Sequence, residues 1–247
     1  MTRFRITLEY DGTDLIGWQE NRQGPSVQSV LRDAIYAFCG VRPDVVAAGR
    51  TDAGVHAIAM VAHFDLPGDY TANTVMRAVN FYLVGRPVVI LSCDIVPDDF
   101  NARFDCVARH YKYIVLNRSA APVLNKNRVW WVPRALDVAA MRNAATRLVG
   151  HHDFTSFRAT QCQAKSPIKT LDVCNITADG DNIIFEFSAR SFLHHQVRNM
   201  VGTLVEIGLG KPYDIDEIFA ARARSAAGPT APASGLYFIS ADYATDD

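Results

Sequence analysis

The chain has 247 residues, 49% hydrophobic and 21% charged, with a formal net charge of −1. That composition builds one large domain or two small ones around a real core and excludes a polybasic protein, so any nucleic-acid contact must come from a local basic surface. The five cysteines, Cys39, Cys93, Cys106, Cys162 and Cys174, are widely spaced with no CxxC, which predicts reduced thiols in the cytoplasm and no zinc site.

Residues 3–10 alternate polar and apolar, a strand and not a signal peptide. No apolar run reaches the ~18 residues of a membrane span. The strand ends in a turn at Asp11-Gly12-Thr13. Ser26 then caps a helix with Val27, Val30, Leu31, Ala34, Ile35 and Phe38 on one face, and Gly40 ends it. Strands near 45–48 and 59–65 flank a loop from Gly49 to Ala57. A helix over 72–83 and a strand over 86–96 complete an order of strand, helix, two strands, helix, strand. That order is ferredoxin-like. The second half is expected to repeat it loosely: a strand over 110–117, a helix over 136–149, a hairpin of 171–178 and 182–190, a helix over 192–208, a short helix over 215–224 and a strand over 236–243. The expected architecture is α+β in two related halves, 1–105 and 106–247.

Three stretches can carry chemistry. In Gly49-Arg50-Thr51-Asp52-Ala53-Gly54-Val55-His56-Ala57 one carboxylate stands between two glycines among small residues. The glycines permit positive φ and close backbone approach. Arg50 and Asp52, two residues apart, share a side if the segment is extended. A reaction centre and a turn with a local ion pair both fit these residues.

In Arg103-Phe104-Asp105-Cys106-Val107-Ala108-Arg109-His110-Tyr111-Lys112-Tyr113, cations interleave with rings, as phosphate binding and base stacking require. A half-buried strand with core tyrosines fits too. In Phe192 to Glu206, Leu193, Val197, Met200, Val201 and Leu204 form an apolar stripe with Arg198 at its edge. A guanidinium there needs a carboxylate to offset desolvation, and Asp52 is the candidate, unless Arg198 reaches solvent. No metal site is expected: adjacent histidines such as His194-His195 diverge on a helix, and no HExxH occurs. No GxGxxG or P-loop occurs either, so no nucleotide cofactor is expected.

Together with Tyr10-Asp11-Gly12-Thr13, Gly17-Trp18-Gln19, Asn101-Ala102-Arg103-Phe104, His152 to Phe157, Cys162-Gln163 and Ala231 to Leu236, these stretches closely resemble the tRNA pseudouridine synthase A family over nearly the full length. Asn101, where histidine is expected, and Gln196 are small departures. The resemblance implies two ferredoxin-like halves sharing a mostly antiparallel sheet with an active cleft between them. It implies a cytoplasmic, cofactor-free homodimer converting uridine to pseudouridine at positions 38, 39 and 40 of the tRNA anticodon arm. By the same resemblance Asp52 matches the essential aspartate and Tyr111 the tyrosine that stacks on the target base. Arg198 matches the basic partner of that aspartate, and Arg50 the arginine that assists base flipping. Arg3, Arg5, Arg103, Arg109 and Lys112 are the candidate phosphate contacts, with acids such as Asp214, Asp216, Asp246 and Asp247 elsewhere in the sequence. Arg222 and Arg224 read as helix-end charges.

Two other classes remain open on the residues alone. A nucleoside or sugar hydrolase would use a second carboxylate as general acid, for which Asp105 and Asp153 are nearest. An RNA-binding module with stacking tyrosines would not need the Asp52 carboxylate.

Overall fold

The computed structural model describes residues 1–244; Asp246 and Asp247 lie outside them. The first elements are β1 (Thr2–Tyr10), α1 (Val27–Cys39), β2 (Val46–Ala47), β3 (His56–Leu66), α2 (Ala72–Leu83) and β4 (Val88–Val96). β1 pairs antiparallel with both β3 and β4, and β2 pairs antiparallel with β3. The resulting order β4-β1-β3-β2 is that of a ferredoxin-like unit. The alternation read in residues 3–10 is realised: Phe4, Ile6 and Leu8 are fully buried. Leu31 and Ile35 of α1 and Val75 and Val79 of α2 join the same core. Ser26 accepts from the Ser29 N–H, and Gly40 closes α1 in the left-handed region.

Next come β5 (Cys106–Leu116), β6 (Trp130–Trp131), α3 (Val138–Thr146), β7 (Gly150–Asp153), β8 (Ile168–Leu171), β9 (Val173–Asp179), β10 (Asn182–Ala189), α4 (Gln196–Gly208) and α5 (Ile215–Ala221). The adjacency β5-β10-β9 repeats β1-β3-β2 of the first elements, with α3 and α4 in the places of α1 and α2. β9 and β10 form the expected antiparallel hairpin, and β7 and β8 form a two-stranded sheet of their own. Tyr113, Phe185, Met200, Val201 and Leu204 are fully buried. Both sets of elements are α+β with mostly antiparallel strands.

The chain ends in β11 (Leu236–Tyr243). Tyr237 and Phe238 pair in parallel with His56 and Ala57 of β3. The two compact units are therefore Met1–Arg109 with the chain from Tyr237 on, and His110–Leu236. This differs from the expected halves: the junction falls inside β5, after Arg109, and the last strand returns to the first unit.

Three expected boundaries shift for local reasons. The helix expected from 192 begins at Gln196, because His195 takes φ 62° and the Gln196 side chain accepts from the Leu193 N–H. The helix expected over 136–149 stops at Thr146 and gives way to β7. α5 stops at Ala221, with Arg222 at φ 46°.

The fold also uses cations that the sequence left free. Arg3 donates from Nε and Nη2 to both Asp65 oxygens, each at 2.8 Å, and from Nη1 to the Phe100 carbonyl. Arg5 pairs with Asp94 at 3.1 Å. Arg3 and Arg5, the candidate phosphate contacts of the sequence, thus each have a carboxylate partner within the fold. The Arg3 hydrogen bonds hold the Asp65 carboxyl below its ordinary value. A carboxylate lowered in the fold adds stability above its unfolded value and loses it as pH falls through the folded one. Asp65→Asn is therefore expected to lower Tm at pH 7, with the gap to wild type closing as pH falls below about 4. Thermal melts showing a constant gap from pH 7 to 3 contradict this.

Candidate active site

Asp52 lies between β2 and β3, half-buried, on a segment held by the loop after β1. Gly17 and Asp52 form an antiparallel bridge. The Trp18 N–H donates to the Thr51 carbonyl at 3.0 Å, and the Gly54 N–H to the Leu15 carbonyl at 3.2 Å. The Val55 N–H returns to the Asp52 carbonyl at 3.2 Å, and Gly54 at φ 80° supplies the positive φ that this turn needs. Tyr10 Oη and Thr51 Oγ1 share a hydrogen bond of 2.8 Å, and the Gly12 N–H donates to His56 Nδ1.

The two backbones touch where neither could carry a larger residue. A Cβ on Gly12 would stand 2.0 Å from the Val55 carbonyl oxygen, and one on Gly17 2.6 Å from that of Thr51. Gly17 also sits at φ 102°. This explains why Tyr10 to Thr13 and Gly17 to Gln19 belong with the Asp52 motif, a link that residue order alone does not reveal. Of the two glycines that permit positive φ, Gly54 uses it and Gly49 does not.

The local ion pair is not formed: among the described residues, Arg50 is exposed and makes no hydrogen bond or ion pair. It lies near Arg103, whose guanidinium is lowered from its ordinary value by burial and by the charges of Arg50 and Arg109. Arg103 sits over the ring of Phe104, which is 73% exposed. Asn101, the departure from the family pattern, accepts from the N–H groups of Arg103 and Phe104 and so shapes this turn. Arg109 is different. It is buried and donates to the carbonyls of Ala48 at 2.8 Å, Arg103 at 2.6 Å and Cys106 at 3.5 Å. It ties the segment before Asp52 to the start of β5, which corrects its reading as a phosphate contact.

In the second unit, Tyr111 is half-buried and meets Phe192 edge to face, centroids 5.0 Å apart. Tyr113 is core: it is fully buried, donates to the Pro232 carbonyl at 2.7 Å, and burial raises its hydroxyl far above the ordinary value. Lys112 stands on the opposite parity of β5 from both. Arg198 is half-buried and clasps Ala231: its Nε donates to the Ala231 carbonyl at 2.8 Å, and the Ala231 N–H donates to the Arg198 carbonyl at 3.1 Å.

Arg224 supports that clasp, which sequence reasoning missed by reading it as a helix-end charge. Its Nη1 donates to the carbonyls of Ala227 and Gly228, and its Nη2 to Asn199 Oδ1 and Thr230 Oγ1. Thr203 Oγ1 accepts from the Gly228 N–H. The segment leading to Ala231 is thereby fastened along α4.

The candidate general acids of a hydrolase fit that role poorly. Hydrogen bonds from Thr155, with Arg222 nearby, hold the Asp153 carboxyl below its ordinary value, in the ionised form. Asp105 accepts from the Asn101 N–H at 2.6 Å.

The grip on Asp52 is testable by backbone substitution. Gly17→Ala is expected to cost about 2 kcal/mol of stability or more and, by shifting Asp52, about tenfold or more in turnover. Gly40→Ala, at φ 72° with nothing within 4 Å of the new Cβ, is expected to cost about 1 kcal/mol and no turnover. Equal turnover in the two variants, measured with their Tm values, contradicts the role of the close approach.

A family model described as tRNA pseudouridine synthase matches residues 144–244. The tRNA pseudouridine synthase A of Paramagnetospirillum magneticum is 52% identical over 245 residues, 98% of this chain and 96% of its own. That of Rhodospirillum centenum is 54% identical over 245 residues, 98% of this chain and all of its own. That of Bartonella bacilliformis is 47% identical over 247 residues, with the same coverage. One chain from the crystal structure of a Cbf5-Nop10-Gar1 complex aligns over 96% of this chain and 49% of its own at TM-score 0.40 and 9% identity, a likeness that carries no argument. At such identity along nearly its whole length, the chain belongs to the tRNA pseudouridine synthase A family.

Proposed function

We propose that the protein isomerises uridine to pseudouridine at positions 38, 39 and 40 of the tRNA anticodon arm, with Asp52 as the essential carboxylate. The observation that carries this reading is the Asp52 turn, gripped by a second backbone at Gly12 and Gly17. A side chain on such a turn is aimed before substrate arrives, which is what a reacting group requires.

The reaction breaks the N1–C1′ bond, turns the uracil ring, and joins C5 to C1′. The proton on C5 is lost and N1 ends protonated, so atoms and electrons balance without a redox partner or net hydrolysis. One carboxylate suffices, either attacking C1′ or removing a ribose proton. In this reading Arg198 keeps Asp52 ionised; a cation beside a carboxylate lowers its pKa. Its clasp on Ala231 supports the assignment, since it fixes the Nε edge of the guanidinium. Tyr111 stacks on the detached base. Arg50, planar, charged and exposed, fills the gap left when the target leaves the stem. Arg50 and Arg103, together with Lys112, contact phosphates; Arg3, Arg5 and Arg109 are engaged elsewhere. The working form is a cytoplasmic homodimer. Five unpaired cysteines fit a reducing compartment, and among the described residues no helix is long and apolar enough to cross a membrane.

The test is incubation with an unmodified tRNA transcript carrying uridine at 38, 39 and 40, with pseudouridine mapped and free uracil assayed. Pseudouridine at those positions without free uracil is expected. Release of uracil identifies a hydrolase, and tRNA binding with neither product identifies a binding module.

A further inference from the structure

The near-zero net charge conceals a division between the units. His110–Leu236 carries 15 Lys and Arg against 10 Asp and Glu, whereas the rest of the chain carries 10 against 16. The second unit is thus +5 and the remainder −6. The positive excess is concentrated. From Cys106 to Leu136, 31 residues, there are six Lys and Arg and no acid. Two of the six, Arg109 and Lys112, lie on β5; the other four, Arg118, Lys126, Arg128 and Arg134, flank or ride the excursion between β5 and β6 and follow it.

That excursion is a closed loop on a built base. It leaves β5 after Leu116 and returns at Trp130, where β6 pairs in parallel with the end of the same strand, Val115 with Trp130 and Leu116 with Trp131. Asn117 Nδ2 donates to the carbonyls of Val132 at 2.9 Å and Arg134 at 2.6 Å, and Asn117 Oδ1 accepts from the Leu136 N–H at 3.2 Å. Trp131 Nε1 donates to the Arg118 carbonyl at 2.8 Å. Buried Val129 and the Trp130 ring, edge-on to Tyr113, anchor the returning limb. Above this base everything faces out: Lys126, Arg128 and Arg134 are exposed, and Val123 and Leu124 are 83% and 95% exposed. Arg118 reaches Asp181 at 3.3 Å, but among the described residues Lys126 and Arg134 have no ion-pair partner. A loop with fastened ends presents its side chains at little further entropic cost, and such loops are frequent binding elements.

We propose that the 117–134 segment is a second RNA contact, holding sugar-phosphate backbone of the tRNA outside the target nucleotide through Lys126, Arg128 and Arg134. This rests on the reading of the protein as a tRNA-modifying enzyme. Cations at 126, 128 and 134, on the returning limb and just past β6, offer a phosphate chain several exposed points of contact, and an acid-free stretch removes the repulsion that such a chain would meet. Two apolar tip residues are too few to anchor a protein to lipid.

The test compares wild type with Lys126→Gln/Arg128→Gln/Arg134→Gln, and with Arg42→Gln/Arg77→Gln/Arg86→Gln, which removes the same charge from exposed positions of the first unit. The probe is an unmodified tRNA transcript, with Kd measured from 50 to 300 mM salt and pseudouridine formation measured in single turnover at saturating tRNA. The loop variant is expected to bind about tenfold more weakly, and its slope of log affinity against log salt falls by about two units, near one per phosphate released. Its single-turnover rate at saturating tRNA stays within about twofold of wild type, because the variant removes binding and no group assigned to the chemical step. Unchanged Kd and slope in the loop variant overturn the proposal, as does an equal change in the first-unit variant. So does a loop effect confined to vesicles of phosphatidylserine and phosphatidylcholine. A wild type that binds tRNA but makes no pseudouridine defeats the functional reading, and the binding comparison still decides the loop.

Discussion

The interaction on which the site depends is the contact between two stretches of backbone, 12–18 and 51–55, with no room for a Cβ at Gly12 or Gly17. Peptide groups this close are paired: Gly17 bridges Asp52, Trp18 bonds Thr51, and Gly54 bonds Leu15. Asp52 therefore occupies a turn whose two ends and middle are all fixed from outside itself. The grip extends outward through Tyr10 to β1 and through His56 to β3, where His56 also stacks on Tyr237 with centroids 4.9 Å apart. The carboxylate is placed by the core of the first unit, with the buried ring of Trp18 and the strand register behind it.

A second constraint is the sorting of cations into those that build the protein and those that remain available. Arg109 and Arg224 look alike in sequence to Arg50 and Arg103, yet each of the first pair spends its guanidinium on backbone carbonyls that water cannot reach easily. Removing such a donor leaves those carbonyls unpaired, which is costly in a buried setting. Arg50 and Arg103 are exposed, and the charge of Arg50 disfavours that of Arg103. The same sorting at larger scale gives the +5 charge of His110–Leu236 within a chain of net −1.

What could be read from the sequence was whatever is encoded locally. The alternation of Phe4, Ile6 and Leu8, the capping by Ser26 and Gly40, and the stripe of Val27, Leu31 and Ile35 each follow from one segment's own period or end chemistry. The strand and helix order, and with it the ferredoxin-like class, followed from these. The motif around Asp52 stood out for its composition, but its partner segment did not, because the contact joins residues about 40 apart and is written only in the absence of side chains at Gly12 and Gly17. The start of α4 was misread because the apolar period continues through Leu193, while His195 leaves the helical region at φ 62° and Gln196 turns its side chain back onto the backbone. Arg109 was misread because strand composition does not reveal whether a long side chain faces solvent or the carbonyls of a neighbouring turn.

In the proposed function the grip on the turn serves to present one carboxylate, that of Asp52. Asp52→Asn keeps the shape of that side chain and removes its charge, and the amide can neither attack C1′ nor take a ribose proton. The deciding measurement is pseudouridine formation by this variant in single turnover, in the same preparation whose tRNA affinity is determined. Affinity within about threefold of wild type and no detectable product are expected, since the lost group acts only in the chemical step. Product formation within about tenfold of the wild-type rate would contradict the proposed function.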